Sequence, residues 1–398
     1  MEKCLLVGLG ISNKSAYEVL IKRGYYVDVL VDEQYRNEDY NYVDETVDLD
    51  DYKYIIKSPG ISSLHRYSKL FNNRDNVINE IELAYILSGK KGKYIAITGS
   101  NGKTTSVCML YDVIKEVYPS VILAGNIGYP LCDYIDYIRD NTIIILELSS
   151  FQLETISKMK FYVSSVLSLC PNHLDAVVDL EYYYKSKFNI TKNQNNGDYF
   201  LCSFNYLKYL ENSEVKCIDI DALDFEFESK LRGEFNRKNI NVVYAISMIL
   251  GVDEYLIKKK IKEFNPLKYR VEEIGNICGT SFINDAKSTT VEATIACYEA
   301  FMGNKLLICG GKDKGIDFSS LNSIENKCCY GEIRNKLNGY KKESLNELYD
   351  YIKRNYKKYD YVIFSPSTSS FDQYKSYMER GEEFESMVER LISEENRA

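Results

Sequence analysis

Histidine is nearly missing from this chain, with two among 398 residues, and tryptophan is absent. Two histidines, and eleven cysteines scattered without C-x-x-C spacing, support neither a zinc site nor a thioredoxin-like motif. Positive charge is also in deficit: 50 Lys and Arg face 58 Asp and Glu, a net charge of −8. With no Lys/Arg cluster to offset it, that balance argues against a nucleic-acid partner. No apolar run reaches membrane-spanning length, so no membrane partner is expected. The opening CLLVGLG is too short and glycine-rich for a signal peptide, and reads as a strand entering a turn. Scattered cysteines in odd number indicate reduced thiols and a cytoplasmic location. The adjacent Cys328 and Cys329 fall in a polar stretch and are assigned no chemistry. The 36 tyrosines, in the company of many Ile, Lys and Asn, read as compositional bias rather than a ligand cage.

What is present is a globular composition, 45% hydrophobic and 27% charged, in a chain long enough for two or three domains. Short apolar runs feed Gly- or Ser-bearing turns and then amphipathic segments: CLLVGLG, YVDVLVD, YIIKSPG, KYIAITGS, SVILAGN, NTIIILELSS and YVSSVLSLC. That alternation predicts an α/β fold of βαβ units with parallel sheets. The segments Leu87–Lys93 (LSGKKGK) and Lys262–Arg270 (KEFNPLKYR) read as linkers. They divide the chain into expected domains 1–90, 91–266 and 267–398.

The sharpest motif is Thr98-Gly99-Ser100-Asn101-Gly102-Lys103-Thr104-Thr105, between the strand KYIAI and a helix. Only two residues separate its glycines, against four in the common phosphate loop, yet the physical demands are met. Gly99 and Gly102 let backbone amides turn inward, and the helix N-terminus adds positive potential. Lys103 can meet the β/γ-phosphates, and the Thr104 hydroxyl can serve Mg²⁺. ATP binding is the reading. Glu147 ends the buried run TIIILE, where a carboxylate is well placed as a magnesium ligand. His173, in Pro171-Asn172-His173-Leu174-Asp175, again follows an apolar strand, and with Asp175 beside it is a candidate ligand. Gly8-Leu9-Gly10-Ile11-Ser12-Asn13, with Asp32 after the next strand, imitates a dinucleotide fingerprint but has Asn13 at the third glycine. It points to some phosphate or nucleotide rather than to NAD. Late in the chain, Gly310–Gly315 and Ser365–Ser370 are polar loops at strand ends. Together they suggest a charged substrate.

In order along the chain, GLGxS, SPGI (58–61), TGSNGKTT, GNIG (125–128), ELSSFQLE (147–154) and NHLD are joined by Y-x-x-K (184–187), NDAKSTT (284–290), GGKDKGIDF (310–318) and SPSTSSFDQYKSYMERGEEF (365–384). This series resembles the Mur ligases over essentially the whole chain. ELSSFQLE and S-P-x-x-x-S-F-D-Q look most like the branch that adds D-glutamate. The resemblance implies three domains: an N-terminal Rossmann-like one that binds the UDP-substrate, a central P-loop ATPase-type parallel sheet, and a C-terminal Rossmann-like one that binds the amino acid. It implies a monomer that uses ATP and Mg²⁺ to phosphorylate the L-alanine carboxylate of UDP-N-acetylmuramoyl-L-alanine, for attack by the D-glutamate amine.

Site residues follow from the same resemblance. Gly99 to Thr105 would hold ATP, with Asn236 and Asn239 on the adenine side and Arg270 and Asp285 near the forming phosphate. Thr104, Glu147, His173 and a carbamylated Lys187 would serve magnesium, and Lys103, His173 and Lys187 are the expected catalytic residues. Ser12, Asp32, Gly60 and Asn126 would contact the UDP-substrate, and Thr289, Lys314, Ser370 and Phe371 would hold D-glutamate. Lys287 also matches a family motif position. For Lys187 a surface lysine of YYYKSKFNI is the alternative, with Lys185 two residues away, and the spacing from His173 favours Lys187.

The chain departs from the family at Asn13 (usually Gly), Phe235 and Tyr269 (usually His), and Ala176-Val177 (usually Arg-His). These changes bear on the UDP and adenine contacts more than on the reaction. Two other readings remain, another amide ligase of the superfamily and a nucleotide-binding regulator that kept the fold. Intact Lys103, Glu147, His173 and Lys187 speak against the second.

Overall fold

Strands covered on both faces need unbroken apolar runs rather than alternation, and CLLV, IIIL and YVIF supply them. The computed structural model describes residues 1–36, 40–71, 74–171 and 179–397. Two compact units form, residues 1–227 with 238–261 and residues 228–237 with 262–398.

The first unit opens with β1 (Lys3–Val7), α1 (Ile11–Lys22), β2 (Tyr26–Leu30), β3 (Asn41–Tyr42), β4 (Tyr52–Lys57), β5 (Val77–Ile78) and α2 (Glu80–Leu87). The five strands are all parallel, in the order β3-β2-β1-β4-β5. The order reverses between β1 and β4, where an open α/β sheet forms its ligand crevice. A second parallel sheet has the order β11-β10-β9-β6-β8-β7. Its elements are β6 (Lys93–Thr98), α3 (Lys103–Ile114), β7 (Val121–Gly125), β8 (Ile143–Glu147), α4 (Ser150–Leu153), β9 (Val163–Val166), α5 (Leu180–Phe188), β10 (Tyr199–Cys202) and β11 (Lys216–Asp219). Cys4, Leu6 and Ile56 of the first sheet join Ile144, Leu146 and Val166 of the second in one apolar core, bridged by Ile81, Leu83 and Ala84 of α2. α6 (Glu234–Ile249) and α7 (Glu254–Glu263) follow.

The second unit is built on β12 (Glu272–Ile277), β13 (Thr280–Asn284), α8 (Val291–Glu299), β14 (Lys305–Gly310), β15 (Lys327–Tyr330), β16 (Tyr340–Lys341), α9 (Tyr349–Asn355), β17 (Tyr361–Phe364) and α10 (Tyr377–Glu395). The sheet order is β12-β13-β17-β14-β15-β16. Only the β12–β13 pair is antiparallel among the described strands. β13, β17 and β14 lie side by side, so their carboxyl-end loops form one continuous edge. Cys328 and Cys329 are wholly buried in β15, with Cys329 Sγ 4.0 Å from Cys309 Sγ. This corrects the polar reading of that stretch: the flanks are polar, but the short strand between them is core. Among the described residues, no helix is long and apolar enough to cross a membrane.

Candidate active site

The phosphate-type loop occupies the turn between β6 and α3, as its glycines require. Gly102 holds φ at +86° as the residue before α3, and Gly99 at +148°, conformations that side chains rarely adopt. Space excludes a side chain as well. A Cβ on Gly99 would lie 3.1 Å from Ser168 N, and one on Gly102 would collide with the Asn239 amide. The loop is braced from beneath: Ser100 N donates to Ser168 O at 2.9 Å and Asn101 N to Ser168 Oγ at 3.0 Å. Ser100 Oγ donates to Cys170 O and accepts from Cys170 N, both at 2.9 Å. Lys103 curls back so that Nζ donates to Gly99 O (2.8 Å) and Ser100 O (3.2 Å), while Thr104 stands in the first turn of α3. Asn239, on α6, packs against Gly102.

Glu147 closes β8, between the ends of β6 and β7, and is only 2% exposed. The capping box of Ser149 and Gln152 starts α4 immediately after it, which turns the chain and holds the strand end in place. Asn126 grips the residue twice, N to Glu147 O and Nδ2 to Oε1, each at 2.8 Å. Oε2 is buried with no hydrogen-bond partner among the described residues. A carboxylate oxygen stripped of water and left unanswered costs free energy of about 1–3 kcal/mol or more. A hard cation at that oxygen removes the cost, so the donor set fits a magnesium ion.

Lys187, on α5, is 1% exposed. Its Nζ lies 3.3 Å from Gly99 O and 4.3 Å from the centre of the Tyr183 ring. Burial, with the Lys103 charge adding to it, holds the amine well below the ordinary lysine range. The sequence distinguishes it from Lys185 by the resemblance and by its spacing from His173, and the packing does so directly. Lys185 pairs with Glu181 in solvent. His173, with Asn172, Asp175, Ala176 and Val177, lies outside the described residues. Tyr183, which meets both Ser100 (3.4 Å) and Lys187, was not signalled by any motif.

At the edge of the first sheet, Gly8 approaches Ser58 so closely that a Cβ there would lie 2.9 Å from Ser58 Cβ. Ser12 and Gly60 flank this point, with Asp32 at the end of the neighbouring strand. Asp32 Oδ1 accepts from Tyr67 OH at 2.8 Å and Arg66 Nη2 at 2.5 Å, and the carboxyl pKa is lowered by those bonds. Asp32, Arg36, Arg66 and Tyr67 line a cleft of about 670 Å³. Asn13 is wholly buried. Its Nδ2 donates to Val7 O (3.2 Å), Gly8 O (2.8 Å) and Ile56 O (3.1 Å), so it ties the glycine turn to β4. At the end of β4, Lys57 forms a buried ion pair with Glu154 at 2.7 Å, joining the strand that leads into SPGI to the ELSSFQLE segment.

The second unit gathers the remaining predicted residues except Asn239. Asn236 is buried, donating from Nδ2 to Arg232 O at 2.8 Å. Asp285 follows β13 and is buried, accepting from Ser365 Oγ (2.8 Å) and Val271 N (3.2 Å). Burial pushes its carboxyl up to about 6. Arg270 sits between Tyr269 (φ +64°) and Val271 (φ +52°). Two side-chain-bearing residues in left-handed backbone, one on each side of Arg270, store strain, which the bonds to Asp285 and from Lys287 N to Tyr269 O maintain. Thr289 and Lys314 are half-buried, Ser370 is buried and Phe371 is exposed. Gly381 makes room for the Tyr269 ring: a Cβ on Gly381 would lie 2.6 Å from Tyr269 Cε1. Gly381→Ala is therefore expected to cost about 1–3 kcal/mol of stability, measured by urea denaturation. A change near zero would show that the Tyr269–Gly381 fit is loose.

A family model described as the Mur ligase middle domain matches residues 97–212. The chain is 33% identical, over 98% of its own length and 100% of the relative's, to UDP-N-acetylmuramoylalanine–D-glutamate ligase of Fusobacterium nucleatum. It is also 33% identical to the ligase of the same name from Aquifex aeolicus, covering 97% of this chain and 98% of that one. Among solved structures it is similar to a MurF ligase from Thermotoga maritima in complex with ADP, with TM-score 0.64, 16% identity and coverage of 94% and 96%. The UDP-N-acetylmuramate–alanine ligase of the same organism gives TM-score 0.59 at 16% identity, covering 99% of this chain and 100% of that one. At such identities these two structures speak for the three-domain α/β fold alone.

Proposed function

The chain belongs to the UDP-N-acetylmuramoylalanine–D-glutamate ligases, a branch of the Mur ligases, and on that premise we propose how its residues carry the reaction. It is an ATP-dependent amide ligase that joins D-glutamate to UDP-N-acetylmuramoyl-L-alanine in peptidoglycan precursor synthesis. A carboxylate is a poor electrophile toward an amine, so the substrate's L-alanine carboxylate must first take the γ-phosphoryl group of ATP. The D-glutamate amine then attacks the acyl phosphate and expels phosphate.

The observation that supports this reading best is that the Lys103 and Lys187 amines both lie on carbonyls of one phosphate-type loop, with Glu147 beside Ile97 on the strand that leads into it. In our assignment, backbone amides of residues 99–105 cradle the phosphates and Lys103 neutralises their charge. Thr104, Glu147, His173 and Lys187, the last as its carbamate, would hold magnesium. A metal held by these residues would offset negative charge between the donor phosphate and the substrate carboxylate. A carbamate forms only on a neutral amine, the form that the burial of Lys187 favours. Asn126 orients Glu147 and reaches the UDP-substrate, and Ser12, Asp32 and Gly60 hold its uridine diphosphate. Asn236 and Asn239 serve the adenine side, Arg270 and Asp285 the transferring phosphate. Thr289, Lys314, Ser370 and Phe371 receive D-glutamate, whose two carboxylates call for a cation and hydroxyl or amide donors. We assign these roles to domains 1–90, 91–266 and 267–398, in a cytoplasmic monomer.

Phosphate release from ATP, with each component left out in turn, tests the assignment. Release should require ATP, magnesium, UDP-N-acetylmuramoyl-L-alanine and D-glutamate together. Equal release without the UDP-sugar or the amino acid would reject it.

A further inference from the structure

Arg380 lies in the first turn of α10 and is wholly buried. A guanidinium stays charged in any protein environment, so burying one is tolerated only where its N–H groups are answered. Here backbone carbonyls answer the two terminal nitrogens, while Nε is buried with no hydrogen-bond partner among the described residues. Nη1 donates to Thr368 O at 3.0 Å and lies 3.5 Å from Gly310 O, and Nη2 donates to Ala286 O at 3.0 Å. Tyr330 and Asp372 lie within electrostatic reach.

Those three carbonyls lie where the chain leaves β13, β14 and β17 at one sheet edge: Gly310 closes β14, and Ala286 and Thr368 stand in the loops after β13 and β17. The loop after β13 carries Thr289, the one after β14 Lys314, and the one after β17 Ser370 and Phe371. The loops also hold one another: Lys312 N donates to Ser369 O (2.9 Å), Thr368 Oγ1 to Lys312 O (2.6 Å), and Ser365 Oγ to Asp285 Oδ2 (2.8 Å). Gly311, at φ +135°, lets the backbone press on the guanidinium, since a Cβ there would lie 3.0 Å from Nη1. The base of the fork is fixed too, because Asn284 Nδ2 donates to Gly381 O at 3.0 Å.

We propose that Arg380 is a positioning residue of the amino-acid site, a planar fork that sets the spacing of three loops and thereby the affinity for D-glutamate without touching it. The inference rests on the D-glutamate assignment above. Neither an aliphatic side chain nor a lysine reproduces the fork: one has no donors, and the other is a point charge without planar geometry.

Steady-state kinetics of full-length Arg380→Lys and Arg380→Met test it, varying one substrate with the others saturating. Arg380→Met should raise the KM for D-glutamate about tenfold or more, with the KM values for ATP and the UDP-sugar held within about twofold. Arg380→Lys should fall between Met and wild type. If Arg380→Met does not fold, the same split in Arg380→Lys decides. An unchanged D-glutamate KM, or a parallel rise in all three KM values, would overturn the proposal. Wild-type protein that releases phosphate without D-glutamate would instead overturn the underlying assignment, before any variant is made.

Discussion

Lys187→Ala is expected to lower turnover about a thousandfold, and short carboxylates such as formate or acetate should restore part of it. The loss follows from position. The amine sits against Gly99 O under the phosphate loop, and as a carbamate it would present an oxygen ligand toward the metal. Removing one preorganised charge-stabilising group from such a site costs about 10²–10³-fold in rate. Rescue is expected because truncation leaves a void next to the loop that a small carboxylate can enter. Full activity in the variant would remove Lys187 from the mechanism. The same burial predicts a stability change of opposite sign. The folded-state pKa is depressed below the ordinary 10.5, so between the two values the unfolded chain binds more protons and stability rises with pH. Lys187→Met should flatten that rise in metal-free protein and melt at a higher temperature, as read by thermal denaturation across neutral to alkaline pH.

Glu147→Gln is the second large effect expected, a loss in kcat of about 10²–10³-fold with a weaker apparent affinity for magnesium. Glutamine keeps the shape and can still accept from Asn126, so the fold should survive. What disappears is the negative charge at Oε2, the oxygen left unanswered in its buried position. A magnesium titration of activity separates this from a general weakening. If glutamine leaves both kcat and the magnesium midpoint unchanged, the unpartnered oxygen is not a metal site.

These expectations draw unequally on the sequence. The phosphate loop and Glu147 were legible because their signals are local: a glycine spacing, a strand end, a helix start. The α/β class was legible from apolar runs for the same reason. Lys187 was not separable from Lys185 by local chemistry, since burial on α5 depends on Tyr183 and the loop above it. Asn13 looked like damage to a glycine fingerprint. Its three acceptors include Ile56 O on a neighbouring strand, a partner that only the folded sheet supplies. The Lys57–Glu154 pair and the Arg380 fork likewise join segments far apart in the chain. The seat of the Tyr269 ring became intelligible only with Gly381 beside it. Long-range pairings of this kind leave no periodicity to read.

The account turns on one event, transfer of phosphate to the substrate's own carboxylate before the amide forms. It is tested most directly with UDP-N-acetylmuramoyl-L-alanine labelled with ¹⁸O in both carboxylate oxygens, mixed with ATP, magnesium and either D-glutamate or another amino acid. Mass spectrometry should find one ¹⁸O in the released phosphate and one in the amide product, with D-glutamate and not with L-glutamate. Unlabelled phosphate, or product formed equally with L-glutamate, would contradict it.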